Sequence, residues 1–161
     1  MSELGRPAEA LAPAQEAVAI WRELAAAYPD RYRADLAISL ANLGYRFSEL
    51  GRPAEALAPA QETVAIRREL AAAHPDRYRA DLARSLSNLG VLFSELGRQA
   101  EALPAEQEAV AIYRELAAAY PDRYRADLAT SLRRLAAVLA GLGRPTEAED
   151  VRRQASQITQ L

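Results

Sequence analysis

SELGRPAEALAPAQETVAIRRELAAAHPDRYRADLARSLSNLGVLF, residues 48–93, is the stretch on which the fold turns. Residues 2–47 are an earlier copy, differing from it only at 17/63, 21/67, 28/74, 38/84, 41/87, 45/91 and 46/92. A third, more divergent copy spans 94–139, and 140–161 is half of a fourth. A fixed period between about 20 and 50 residues is the signature of stacked repeats, in which each unit buries its apolar face only against its neighbours.

Inside the unit the pattern is helical throughout. Leu36, Leu40, Leu43, Phe47 and Leu50 recur at spacings of four and three, as do Ala10, Ala14, Ala17, Trp21 and Leu24. Gly5-Arg6-Pro7, Gly51-Arg52-Pro53, Gly97-Arg98-Gln99 and Gly143-Arg144-Pro145 read as turns. Glycine suits the left-handed residue after a helix, and proline the first turn of the next. Connections this short make the flanking helices antiparallel neighbours. Pro29 is expected to end the helix before it, with Asp30 capping the next. Pro13, Pro59 and Pro104 lie inside helices and are read as tolerated bends. Gly44, beside the leucine stripe, implies close approach by a partner helix.

The expected helices are 7–27, a second that starts between Asp30 and Asp35 and ends at Leu50, then 53–73, 78–95, 99–119, 124–142 and 145–160. The fold class is all-α, an α-solenoid of seven helices with a 46-residue period. One repeat domain fills 1–161: a second-helix half-repeat, 2–29, then helix pairs over about 30–73, 76–119 and 122–160. Met1–Leu4 aligns with Phe47–Leu50, the tail of a first helix, so the chain is expected to begin in mid-repeat. A fragment of a longer parent and an engineered near-consensus array would both look this way. The final helix carries Glu149 and Ser156 where copy two has Leu57 and Val64, which suits a solvent-facing cap.

Composition narrows the function. All 20 basic residues are Arg, the net charge is −2 and the pI about 5.6, against the strongly basic face of a nucleic-acid binder. There is no Cys, so disulfides and thiolate metal sites are excluded. No basic run precedes an apolar core at the N-terminus, and the apolar run 135–142 is too short for a bilayer. A soluble, cytoplasmic chain is expected. No phosphate loop, nucleophile elbow or zinc-helix motif occurs, and His74, the only His, takes the place of Tyr28 and Tyr120. The expectation is no enzyme, no cofactor and no metal.

The unit resembles the tetratricopeptide repeat of the long, kinesin-light-chain type. The residues that carry the likeness are Leu40, Leu43, Gly44 and Phe47 on the first helix, Gly51 in the turn, and Ala56 and Ala60 on the second. Asn42 and Asn88 in LANLG and LSNLG, and His74-Pro75-Asp76, are similar to that subtype as well. The repeat is 46 residues here, with its extra length in DRYRAD. The resemblance implies a right-handed superhelix whose first helices line a concave, partner-binding face. Its groove positions fall on Asn42, Tyr45 and Glu49 in the first pair. In the second they are Arg84, Ser87, Asn88, Val91 and Glu95, and in the third Thr130, Arg133 and Arg134. Three of the differences between copies one and two, 38/84, 41/87 and 45/91, fall on groove positions. The resemblance implies that Asn42 and Asn88 hold a bound peptide's backbone; otherwise they bond a neighbouring helix. Arg84, Arg133 and Arg134 form either a cationic strip for an acidic segment or a solvated, ion-paired surface.

Three roles follow. The first is a scaffold that holds a peptide or protein segment. The second is self-association, end to end or by helix exchange, through an N-terminal helix without its upstream partner. The third is the sensor arm of a larger signalling protein. Nucleic-acid and membrane partners are not expected.

Overall fold

The structure, a computed structural model, describes residues 5–161. Met1–Leu4, read above as the tail of a preceding helix, lies outside the described residues. The chain forms two compact units, Met1–Asp76 and Arg77–Leu161. The first holds α1 (Gly5–Ala27), α2 (Pro29–Glu49) and α3 (Pro53–Ala73). The second holds all but the first two residues of α4 (Pro75–Glu95), then α5 (Gln99–Ala119), α6 (Pro121–Gly141) and α7 (Pro145–Thr159). Among the described residues there is no strand. In the first unit α2 packs between α1 and α3, and in the second α6 packs between α5 and α7. This is the all-α, helix-pair solenoid repeat expected from the sequence.

The leucine stripes make the core. Leu36, Leu40, Leu43 and Phe47 are buried on α2, as are Leu82, Leu86, Leu89 and Phe93 on α4 and Leu128, Leu132, Leu135 and Leu139 on α6. Each such side chain contributes about 1.5–3 kcal/mol on burial. The stripe read on α1 is different. Ala10, Ala14, Ala17, Trp21 and Leu24 are only half-buried, and Val18 and Ala25 are the buried ones. Ile20 is 51% exposed, although its counterparts Ile66 and Ile112 are 5% and 7% exposed. On α7 only Ala148 and Ala155 are buried, while Glu149 and Ser156 face water.

The helix before Pro29 ends at Ala27 as expected, but the next begins on the proline itself, before Asp30. Pro29 and Pro121 are the first residues of α2 and α6, and the whole DRYRAD segment is helical. A proline pushes the residue before it out of α space while its own fixed φ suits a first helical turn. Tyr28 (φ −136°, ψ 73°) and Tyr120 (φ −135°, ψ 69°) are therefore one-residue hinges. Neither makes a side-chain cap, and Asp30 and Asp122 lie inside the first turn, where a carboxylate meets the positive end of the helix dipole. α1 likewise begins at Gly5, so the turn expected at 5–7 is already helix. Pro13, Pro59 and Pro104 sit within unbroken helices.

The glycine turns are as read. Gly51, Gly97 and Gly143 take φ of 67°, 71° and 74°, the left-handed region. After α2, Arg52 N–H reaches back to Phe47 O at 2.9 Å and Gly51 N–H to Ser48 O at 2.9 Å, a Schellman closure. The arginine of each turn then grips the glutamate three residues on: Arg52 with Glu55, Arg98 with Glu101, Arg144 with Glu147. That hydrogen-bonded guanidinium holds each carboxyl below the usual carboxylate range. Arg52 and Arg98 also lie over Phe47 and Phe93, 5.1 and 5.0 Å from the ring centroids.

Candidate functional site

In the second unit, α4, α5 and α6 line a solvent-open cavity of about 230 Å³ whose lining residues all carry polar side chains. Arg84, Ser87 and Asn88 come from α4, Tyr113 from α5, and Asp127, Thr130, Ser131 and Arg134 from α6. On α4 and α6 these residues recur at helical spacing and so share one face. Five of them, Arg84, Ser87, Asn88, Thr130 and Arg134, are positions assigned to the groove from the sequence. Val91, Glu95 and Arg133 do not line the cavity; Val91 is half-buried and the other two are exposed. In the first unit, Asn42, Tyr45 and Glu49 are all exposed on α2. There Arg46 pairs with Glu49 at 2.7 Å and lies 5.5 Å from the centroid of the Tyr45 ring.

Behind the cavity wall is a residue that the sequence reading passed over. Glu106, on α5, is 1% exposed. Ser87 Oγ donates to Glu106 Oε2 at 3.1 Å and accepts from Arg134 Nη1 at 2.8 Å. The hydroxyl thus links a buried carboxyl to a half-buried guanidinium. Burial pushes the Glu106 carboxyl up to about 7, against the opposing pull of the Ser87 hydrogen bond and the Arg134 charge. Room for the carboxyl comes from Gly90: a Cβ there would lie 2.5 Å from Glu106 Oε1 and 2.8 Å from Cδ. The equivalent positions in earlier copies are Ala14 and Ala60, so comparing second helices copy by copy would have exposed the anomaly. Ser87 replaces Ala41, and Arg134 replaces Asn42 and Asn88. Three copy-specific changes therefore meet at one point.

Two further lining groups bear on what the cavity can hold. Ser131 Oγ is buried without a hydrogen-bond partner among the described residues. Tyr113 is buried, and burial beside Asp127 pushes its hydroxyl up to about 12, so it stays a donor at physiological pH. Arg84 is held by Asp81, one turn back on its own helix. The cavity thus offers hydroxyl, amide and guanidinium donors and one carboxylate, the equipment for orienting a polar side chain. No cluster of three or more His, Cys, Asp or Glu suited to a metal occurs among the described residues, and none of their helices is long and apolar enough to cross a membrane.

The family model described as tetratricopeptide repeat matches residues 36–76 and 82–118, which takes in all of α3 and most of α2, α4 and α5. The model of anaphase-promoting complex subunit 5 matches residues 1–27. No protein with a curated description matches the chain. Among solved structures, the chain is similar to MamA at 13% identity and a TM-score of 0.43, covering 99% of this chain and 96% of that one. It is also similar to BtubC (BKLC) from P. vanneervenii at 18% identity and a TM-score of 0.29, covering 99% of this chain and 92% of that one.

Proposed function

This chain carries tetratricopeptide repeats, and from that premise we propose that it is a protein-interaction scaffold whose α4–α5–α6 cavity receives a polar side chain of a bound peptide. One observation carries the reading. Five positions that the resemblance assigns to a groove, on two different helices, line one cavity together with three further polar residues. Buried Ser131 adds to the cavity wall a hydroxyl with no partner among the described residues, which a polar ligand would satisfy. Asn88, exposed at the rim, is placed to hold the peptide backbone, while Arg134, Tyr113 and Asp127 orient the side chain.

The test is calorimetric titration of the whole chain with short peptides differing at one central residue: Glu, Gln, Arg or Ala. Saturable binding that distinguishes the polar residues from Ala is expected, weakened about tenfold or more by Asn88→Ala or Thr130→Ala. Binding that ignores both substitutions would place the contact elsewhere.

A second reading rests on Ile20. Its exposure, where both counterparts are buried, leaves an apolar side chain on α1 that a second copy of the chain could cover. Light scattering decides: a mass above one chain that falls to one chain in Ile20→Glu supports self-association, and a strict monomer at high concentration removes it.

A further inference from the structure

The cavity's charge is not fixed by its lining alone. Arg84 and Arg134 face a single lining carboxylate, Asp127, and Arg84 is already engaged by Asp81. The balance therefore hangs on Arg134, and Arg134 is tied through one hydroxyl to Glu106. We propose that Glu106 sets the cavity's ligand preference by holding Arg134 when ionised and releasing it when protonated, so that an anionic peptide side chain binds together with a proton. The proposal rests on the peptide-binding reading of the cavity and adds its regulation.

The chemistry follows from the hydroxyl's two roles. While Glu106 is a carboxylate, Ser87 gives its only proton to Oε2, and the lone pair that accepts from Arg134 is part of a chain ending in negative charge. The guanidinium charge is then spent inside the protein. When Glu106 takes a proton from solvent, the carboxyl becomes a donor to Ser87 Oγ. The Ser87 hydrogen is freed to turn toward the cavity, and Arg134 no longer faces a buried anion. With Arg84 still engaged by Asp81, the Arg134 guanidinium is the charge that this step frees, and it suits a carboxylate. Binding such a ligand strengthens proton uptake at Glu106 to the same degree that the proton strengthens binding.

The groups around Glu106 leave it as the titrating member. From α4 it meets Ser87 and the glycine at position 90, with the Asp81–Arg84 pair farther along that helix. From α6 it feels Arg134, with Asp127 on the same helix at the cavity wall. On its own helix the nearby ionisable lining residue is Tyr113, protonated until well above pH 9. Burial that moves the Glu106 carboxyl to about 7 puts its proton exchange in the physiological range, and the other two copies, with Ala14 and Ala60 at this position, have no equivalent.

The experiment is an NMR titration of the free chain from pH 5 to 9, following the Glu106 side-chain carboxyl carbon and the Arg134 Nε–H signal. Both signals are expected to move with one shared midpoint near 7. In Glu106→Gln the Arg134 signal should stay flat, and in Ser87→Ala it should no longer follow Glu106. Ala41 in copy one shows that the repeat accepts alanine at that position. An Arg134 signal that is flat in the unaltered chain, or still titrates in Glu106→Gln, overturns the coupling. Adding a triglutamate peptide at pH 6 and pH 8 tests the ligand class: about tenfold tighter binding at pH 6, lost in Glu106→Gln, supports it. No triglutamate binding at pH 6 despite a coupled Arg134 signal overturns the ligand class and the cavity's peptide role while leaving the proton coupling intact.

Discussion

Glu106 occupies the space that a side chain on residue 90 would need: a Cβ on Gly90 would lie 2.5 Å from its Oε1. Real Cβ atoms do not approach so closely, so the glycine on α4 and the glutamate on α5 are a matched pair. At Gly44, the same position one repeat earlier, the nearest atom is Ala56 O at 3.6 Å, an ordinary contact. In the third copy the position is Ala136, fully buried. The close helix approach expected at Gly44 therefore does not require a glycine, because a methyl group would fit there.

Gly44→Ala and Gly90→Ala should therefore have opposite signs. The first is expected to raise stability by about 0.5–1 kcal/mol, because alanine is the better helix former and nothing has to move. The second should lower it by about 1–3 kcal/mol through overpacking against a buried carboxyl. Urea unfolding of the two variants decides the matter, and equal effects would refute the pairing.

Glu106 makes stability depend on pH in a particular direction. Its carboxyl binds a proton more tightly in the folded chain, at about 7, than at its ordinary 4.5. The stabilisation this brings is complete below the unfolded value and is lost as pH rises through 7. Between pH 5 and pH 8.5 the chain should lose about 2 kcal/mol on this account, and Glu106→Gln should not. Comparing urea midpoints of the two proteins across that range isolates the contribution from other carboxylates.

The three turns make a separate demand. At φ of 67–74°, Gly51, Gly97 and Gly143 hold a conformation that costs an L-residue about 1–2 kcal/mol. Gly97→Ala should lower stability by about that amount even though a methyl there meets nothing within 4 Å. A neutral result, by thermal unfolding, would show that the turn relaxes.

Pro13 offers the converse. It is exposed within α1 and withholds a backbone donor from the helix. Pro13→Ala should gain about 1–3 kcal/mol, read as slower amide exchange in the residues around it. Unchanged exchange would mean that the helix already accommodates the ring at no cost.

Much of this architecture was legible because it repeats. Leucine stripes at spacings of four and three, and Gly-Arg turns at 51, 97 and 143, locate most helix ends to within a residue, while α4 and α6 begin three residues before the expected 78 and 124. The misreadings have local causes. Pro29 both closes α1 and opens α2, so Asp30, a good cap by residue type, falls inside the first turn instead. Spacing marks a stripe on α1, but burial depends on which neighbours cover it, as Ile20 and Ile66 show. At the cavity, the lining residues of α4 and α6 coincide with positions that the resemblance implies for a groove. Tyr113 and Glu106 were missed because they rise from the second helix of a pair, where the pattern reads as packing alone. Ser131 was hidden by sameness: Ser39 and Ser85 stand at its position, so copy comparison marks it as structural.

The one-residue hinge at Tyr28 has a bearing on how such a chain can change over generations. With no slack on that side, a single residue gained or lost between Pro29 and Glu49 would swing everything downstream about 100° around the helix axis and point Leu40 or Leu43 at solvent. Small length edits are thus penalised, whereas duplication or deletion of a whole 46-residue block restores every contact at once. Lineages of this chain should differ in how many blocks they hold far more readily than in how long each block is.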